Sequence, residues 1–301
     1  MSLMNRRDML RSASALLCVS GAAGLAGSAE RVWRRAGPGK NVFGEEFTVI
    51  DCHGHCSVDG SYSLSADETV ESMDLYGVDR ICCSAPITSG PSPPEAVVAR
   101  NDLILGAMRK YPDRIMGQCF IDPGNTGRVR DEITRCVVDN GMVGVKLYNQ
   151  RKITDPVQFP MIEHCIELGV PILVHAGYPA APELRESQPN IATGEHFAEI
   201  SRRYPEAIFI CAHIGGGGDW ERQIKGLREA PTVYVDTGGS VSDSGMIGRC
   251  VRELGVERVL FACDGSMERG LGKIIDADLT PGQLRLVLSE NFAGILGRRK
   301  I

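Results

Sequence analysis

Short apolar runs alternate along this chain with longer stretches of helical spacing. The runs lie near 47–52, 79–84, 114–121, 142–147, 170–175, 207–212, 232–236 and 257–262. Val170-Pro171-Ile172-Leu173-Val174 is apolar throughout, as a strand buried on both faces should be. The helical stretches cover 65–77, 95–110, 126–139, 156–168, 192–203, 219–229, 243–254 and 281–297. Asp219 is placed to cap one of them, and Pro156 after Asp155 opens another. Eight strand–helix units predict an α/β fold, a single-domain (β/α)8 TIM barrel over 47–301, with a doubly wound open sheet as the alternative.

The first 29 residues follow different rules. Asn5-Arg6-Arg7-Asp8-Met9-Leu10-Arg11 sets a twin arginine ahead of an Ala-, Gly- and Ser-rich stretch from Ser12 to Ala26. Gly27-Ser28-Ala29 then supplies small residues for cleavage. This predicts a twin-arginine signal peptide over 1–29, cut near Ala29, and a periplasmic or extracellular protein. The stretch is too weakly apolar for a membrane span, so no stable anchor is expected after cleavage. Cys18 follows Leu17 where lipidation wants a small residue. Residues 30–46 read as a linker.

Charge narrows the partners. The whole chain carries −5; removing three basic residues and one acidic one with the signal leaves 30 Lys and Arg against 37 Asp and Glu, or −7. The net charge argues against nucleic acid and anionic membrane as main partners; the expected partner is a small-molecule substrate. Eleven cysteines suggest disulfides in an exported chain. However, Cys82, Cys83, Cys119, Cys211 and Cys263 sit in or beside the apolar runs, where a thiol acts as a small hydrophobe.

The candidate chemistry gathers where the strands end. Asp51-Cys52-His53-Gly54-His55 follows the first run, and strand alternation turns His53 and His55 to one side. His175 and His213 end two more runs and Asp264 ends the last, so five donors share the end of the strands where barrel active sites lie. Lys146 ends Val143-Gly144-Val145-Lys146-Leu147 and is expected inward. It has three possible uses: a substrate carboxylate, a salt bridge with a neighbouring strand, or carboxylation to bridge two metals. His164 and His196 fall within helices and read as partly exposed structural residues. Gly215-Gly216-Gly217-Gly218 matches no phosphate-binding fingerprint and reads as a tight loop leaving room over the site.

These segments occur in order with Val174-His175-Ala176-Gly177, Ala212-His213-Ile214-Gly215-Gly216, Val235-Asp236-Thr237-Gly238-Gly239, Phe261-Ala262-Cys263-Asp264 and Asn291-Phe292-Ala293-Gly294. Together they resemble the amidohydrolase superfamily over roughly 47–297, specifically the amidohydrolase-related branch that includes aminocarboxymuconate-semialdehyde decarboxylase-like enzymes. The resemblance implies that His53, His55, His175 and Asp264 hold a metal. It also implies that Asp264 exchanges protons with a metal-bound water and that His213 orients that water or polarises the substrate. Ser266 stands where the branch often has proline.

Imidazoles with a carboxylate suit Zn²⁺, one ion or two, with other divalent metals as alternatives. The leading expectation is a metal-dependent hydrolase in which a Zn-activated water cleaves an amide or an ester or lactone bond. The alternative is a metal-dependent non-oxidative decarboxylase acting on a small aromatic or enol carboxylic acid. A non-catalytic binding protein on the same scaffold ranks third, because Asp264 and His213 are both present.

Overall fold

The structure is a computed structural model that describes residues 41–301. The expected signal peptide and residues 30–40 of the linker lie outside the described residues. Eight parallel strands form a ring in sequence order: β1 Ile50–Gly54, β2 Arg80–Cys83, β3 Ile115–Phe120, β4 Gly144–Leu147, β5 Ile172–His175, β6 Phe209–Ala212, β7 Tyr234–Asp236 and β8 Val259–Leu260. Neighbouring strands pair in parallel from β1 to β8. The last seam is drawn together by Cys52 N donating to Phe261 O at 3.0 Å and Asp264 N to His53 O at 2.9 Å. This is the (β/α)8 barrel that the alternating pattern predicts.

Each strand is buried on both faces, which is why its sequence is apolar rather than alternating. One face meets the surrounding helices. The other fills the barrel with Ile50, Cys52, Met116, Leu173, Ile210 and Leu260. Phe292 and Ile295, from the C-terminal helix Asn291–Leu296, join that inner cluster.

Local signals start several helices as expected. Asp219 accepts from Arg222 N, and Asp155 accepts from Val157 N ahead of the turn Pro156–Gln158 and the helix Phe159–Leu168. Ser65 and Glu68 form a reciprocal capping box at Ala66–Tyr76.

The structure also departs from the pattern reading. The helix Met267–Asp276 lies between β8 and the terminal helical stretch. Gly270 and Gly272 weaken its local signal, and packing against the helices Ala66–Tyr76 and Met246–Leu254 restores it. A further short helix, Pro182–Ser187, sits in the long segment after β5. Part of the expected linker is folded: Asn41 Oδ1 accepts from Phe43 N and Glu45 N, and Val42 is buried. His164 is buried rather than partly exposed, because Thr134 Oγ1 and Glu167 engage its two ring nitrogens. All ten cysteines among the described residues are free and buried.

Candidate metal centre

The barrel brings the predicted residues to one end. His53 lies in β1 and His55 just beyond it; Lys146 lies in β4, and His175 ends β5. His213 follows β6 and Asp264 follows β8. Asp264 Oδ1 stands 3.5 Å from His53 Nε2 and 3.2 Å from His55 Nε2. Its Oδ2 lies 3.1 Å from His213 Nε2. One donor atom from each of His53, His55 and Asp264 falls within 4.8 Å of the others, a spacing one divalent ion can span.

Two acceptors fix the rings. His53 Nδ1 donates to Asp236 Oδ2 at 3.0 Å, and His55 Nδ1 donates to the Ser84 backbone oxygen at 2.9 Å. A histidine that donates from Nδ1 presents an Nε2 lone pair, the form that ligates a metal. The residues therefore fit a divalent ion by donor type, spacing and ring orientation.

Asp264 occupies the left-handed region at φ 48°, a position that costs a non-glycine residue about 1 kcal/mol. Ser266, not Asp264, caps the following helix, accepting from Arg269 N. The Asp264 carboxylate is thus directed at the histidines. Burial alone would raise it, but His53, His213 and His55 hold it well below the usual carboxylate range. Burial drives His53 and His175 well below the usual imidazole value, with Lys146 adding to the first and His213 to the second. It brings His213 down to about 4 against the pull of Asp264. A carboxylate set among imidazole nitrogens at this spacing is a donor set that suits a divalent cation.

Lys146 does point inward and is fully buried. Its Nζ donates to His53 Nε2 at 2.7 Å, a contact that must open before that nitrogen can ligate an ion, and among the described residues it forms no salt bridge with a neighbouring strand. Burial lowers its ammonium to about 8, with Asp264 and Asp236 opposing. His175 lies to one side of the three clustered donors. Its ring stacks on Tyr148 with centroids 4.1 Å apart, and its Nε2 faces Gln188 Oε1 at 3.1 Å. Ligation through that nitrogen requires the Gln188 contact to open, because Nε2 carries the proton here.

Sequence reasoning gave no role to Asp236, Gln188, Tyr148 or the Ser84 carbonyl. Asp236 offered a usable signal: it ends β7 as the named candidates end their strands. The other three carried none.

The glycine run makes a tight loop. A Cβ on Gly216 would fall 2.1 Å from Ala176 O and 2.6 Å from His213 Nδ1, and one on Gly177 would fall 2.4 Å from Gly216 O. The loops after β5 and β6 therefore touch backbone to backbone beside His213.

Cys119, Glu132 and Cys136 form a second close group. There Arg135 and Asn101 already engage the Glu132 carboxylate, and burial raises the Cys119 thiol. That group is a satisfied hydrogen-bond network.

Comparison with known proteins agrees with this geometry. Residues 50–295 match the amidohydrolase family. A 140-residue stretch is 24% identical to 2-amino-3-carboxymuconate-6-semialdehyde decarboxylase of Dictyostelium discoideum, spanning 41% of this chain and 39% of that protein. The fold resembles 2,6-dihydroxybenzoate decarboxylase from Rhizobium, with a TM-score of 0.65 and 16% identity over 83% of this chain and 98% of that one. It also resembles manganese-bound 5-carboxyvanillate decarboxylase from Novosphingobium aromaticivorans, with a TM-score of 0.65 and 17% identity over 83% of this chain and 96% of that one. A 4-oxalomesaconate hydratase from Rhodopseudomonas palustris gives 0.60 and 19% over 83% and 96%. With the match covering almost the whole barrel and the donors at its strand ends, the chain belongs to the amidohydrolase family, in the branch that its strand-end motifs indicate.

Proposed function

We propose that this chain is a metal-dependent lyase that removes carbon dioxide from a small aromatic or enol carboxylic acid. The observation that carries the metal-dependent reading is the Asp264 carboxylate set among His53, His55 and His213. The decarboxylases among its relatives support that outcome within the reading.

His53, His55 and Asp264 would hold the ion, with His175 as a fourth donor once Gln188 releases it. When bound, a divalent ion supplies a Lewis-acid centre for substrate oxygens and developing negative charge. Zn²⁺ suits the donor set, and Mn²⁺ is supported by the relative that contains it. Asp236 and the Ser84 carbonyl keep both Nε2 lone pairs inward. His213 and Asp264 share a proton at Nε2 and pass one solvent-derived proton to carbon as the carboxyl group departs. The balance is one carboxylate and one proton in, one carbon–hydrogen bond and one carbon dioxide out. Lys146 keeps a buried positive charge beside His53, which favours an anionic substrate.

Hydrolysis is the second reading, favoured by the same His213–Asp264 pair, which is also placed to take a proton from water. A panel of small acids, esters and lactones assayed in ¹⁸O-labelled heavy water separates the two. Carbon dioxide release with deuterium on carbon supports the lyase; ¹⁸O in the product without carbon dioxide overturns it in favour of hydrolysis. We also propose export by the twin-arginine route, resting on Arg6 and Arg7. Replacing both with lysine should retain the protein in the cytoplasm; unchanged export would contradict the route.

A further inference from the structure

We infer that Lys273 is a positioning residue for the metal centre, acting from outside it through the loop that follows β7. This rests on the reading of the centre given above. Lys273 lies on the helix Met267–Asp276, which starts just after Asp264, and it is buried. Its Nζ donates to three consecutive carbonyls: Thr237 O at 3.0 Å, Gly238 O at 2.9 Å and Gly239 O at 2.8 Å. An ammonium has three N–H bonds, so this one cradle uses all of them. No carboxylate forms an ion pair with it among the described residues. A buried charge is costly unless it is satisfied, and here main-chain carbonyls alone satisfy it.

That geometry reaches the centre by two routes. In the first, turning the three carbonyls towards Lys273 sets the peptide planes of the loop, and Gly238 N donates to Asp236 Oδ1 at 2.9 Å. The other oxygen of Asp236 receives His53 Nδ1. The chain of contacts therefore runs from Lys273 through the loop and Asp236 to the ring of His53, which would face the ion. The second route is steric. A Cβ on Gly238 would lie 2.9 Å from Asp264 Cβ, and one on Gly239 would lie 3.0 Å from His213 Cγ and Nδ1. Gly239 also has φ +85°, which a side chain would strain. The loop is a thin wall against both Asp264 and His213, and Lys273 braces its far side.

Thr237 fixes only one part of this loop independently. Its Oγ1 accepts from Ala262 N at 2.9 Å and donates to Ala262 O at 3.2 Å. Gly238 and Gly239 have no side chains with which to hold themselves. Burial lowers the Lys273 ammonium to about 8, with Asp236 opposing, so the cradle keeps its charge at neutral pH.

The test compares Lys273→Met with Leu271→Ala, a buried apolar change on the same helix whose side chain has no polar atom to offer the cradle. Both are made in the full chain. Three quantities are measured: amide hydrogen exchange across 234–241, Zn²⁺ affinity by chelator competition, and melting temperature. Lys273→Met should speed exchange at 237–239 at least about tenfold and weaken Zn²⁺ binding by about 10–100-fold, the range for loss of a contact supporting a metal ligand. Leu271→Ala should lower the melting temperature while leaving exchange at 237–239 and Zn²⁺ affinity within about twofold of the parent. Lys273→Gln, which keeps two donors, should fall between parent and Met in both local readouts, and it carries the test if Met does not fold. Loss of melting temperature alone in the Lys273 variants, matching Leu271→Ala, overturns the inference. No substrate enters these measurements. A parent chain that binds Zn²⁺ but turns over no acid would therefore defeat the functional proposal and leave this one standing. A parent that binds no Zn²⁺ would defeat the metal centre and this inference with it.

Discussion

At one end of the strands the barrel encloses Ile50, Met116, Val143, Ile208, Phe292 and Ile295; at the other it encloses His53, Lys146, His213, Asp236 and Asp264. His53, Lys146, His213 and Asp236 are as buried as the apolar set, and Asp264 keeps only 19% of its side chain exposed, so exposure does not explain the difference. The apolar end gains about 1.5–3 kcal/mol for each large side chain removed from water. The polar end loses free energy by the same burial and recovers part of it through mutual hydrogen bonds. One end supplies stability. The other holds charges in a low-dielectric space, where they act strongly on a reactant.

Removing the metal should break the comparison most sharply. Exhaustive chelation is expected to abolish turnover while far-ultraviolet circular dichroism keeps the barrel signal, and added Zn²⁺ or Mn²⁺ should restore activity. Full activity after chelation would show that the polar end works without a cation. Next in size is Asp264→Asn, which should lower kcat by about 10³–10⁴-fold in a steady-state assay, near the upper range for a lost acid–base group. The variant should still fold with an unchanged far-ultraviolet circular dichroism spectrum, because the inner apolar cluster is untouched.

Phe292→Ala is the opposite experiment. It should cost about 3–5 kcal/mol in urea unfolding and leave kcat per folded molecule unchanged. A large kcat change would mean that the two ends are mechanically coupled. A third variant provides a control outside the barrel interior. Burial would raise the Glu132 carboxyl, but Arg135 and Asn101 hold it below its usual value. A carboxyl depressed in the folded state contributes above the unfolded value, about 4.3, and loses that contribution as pH falls through the folded value. Glu132→Gln should therefore cost about 1–3 kcal/mol at pH 7. The gap from the parent should close in acid, as urea titrations at several pH values would show.

The apolar end was largely legible in the sequence, because a strand buried on both faces writes itself as an unbroken apolar run. The polar end was legible in part. His53, His55, Lys146, His175, His213 and Asp264 each end such a run, and a barrel collects the ends of its strands. What could not be read was how the donors are held. Asp236 and His53 are 183 residues apart, and Ser84 contributes only a backbone oxygen. Gln188 reaches His175 from a segment with no repeating pattern. His164 looked like a partly exposed helical residue until its partner Thr134, on a neighbouring element, came into view. Lys273 lay in a glycine-interrupted helix that periodicity did not detect.

The main-chain contact between Gly177 and Gly216 constrains how this scaffold can be diversified. Any side chain introduced at either position would drive the two loops apart and carry His213 with them. Libraries seeking altered substrate preference should keep both glycines, because a side chain at either would displace the backbone wall beside His213.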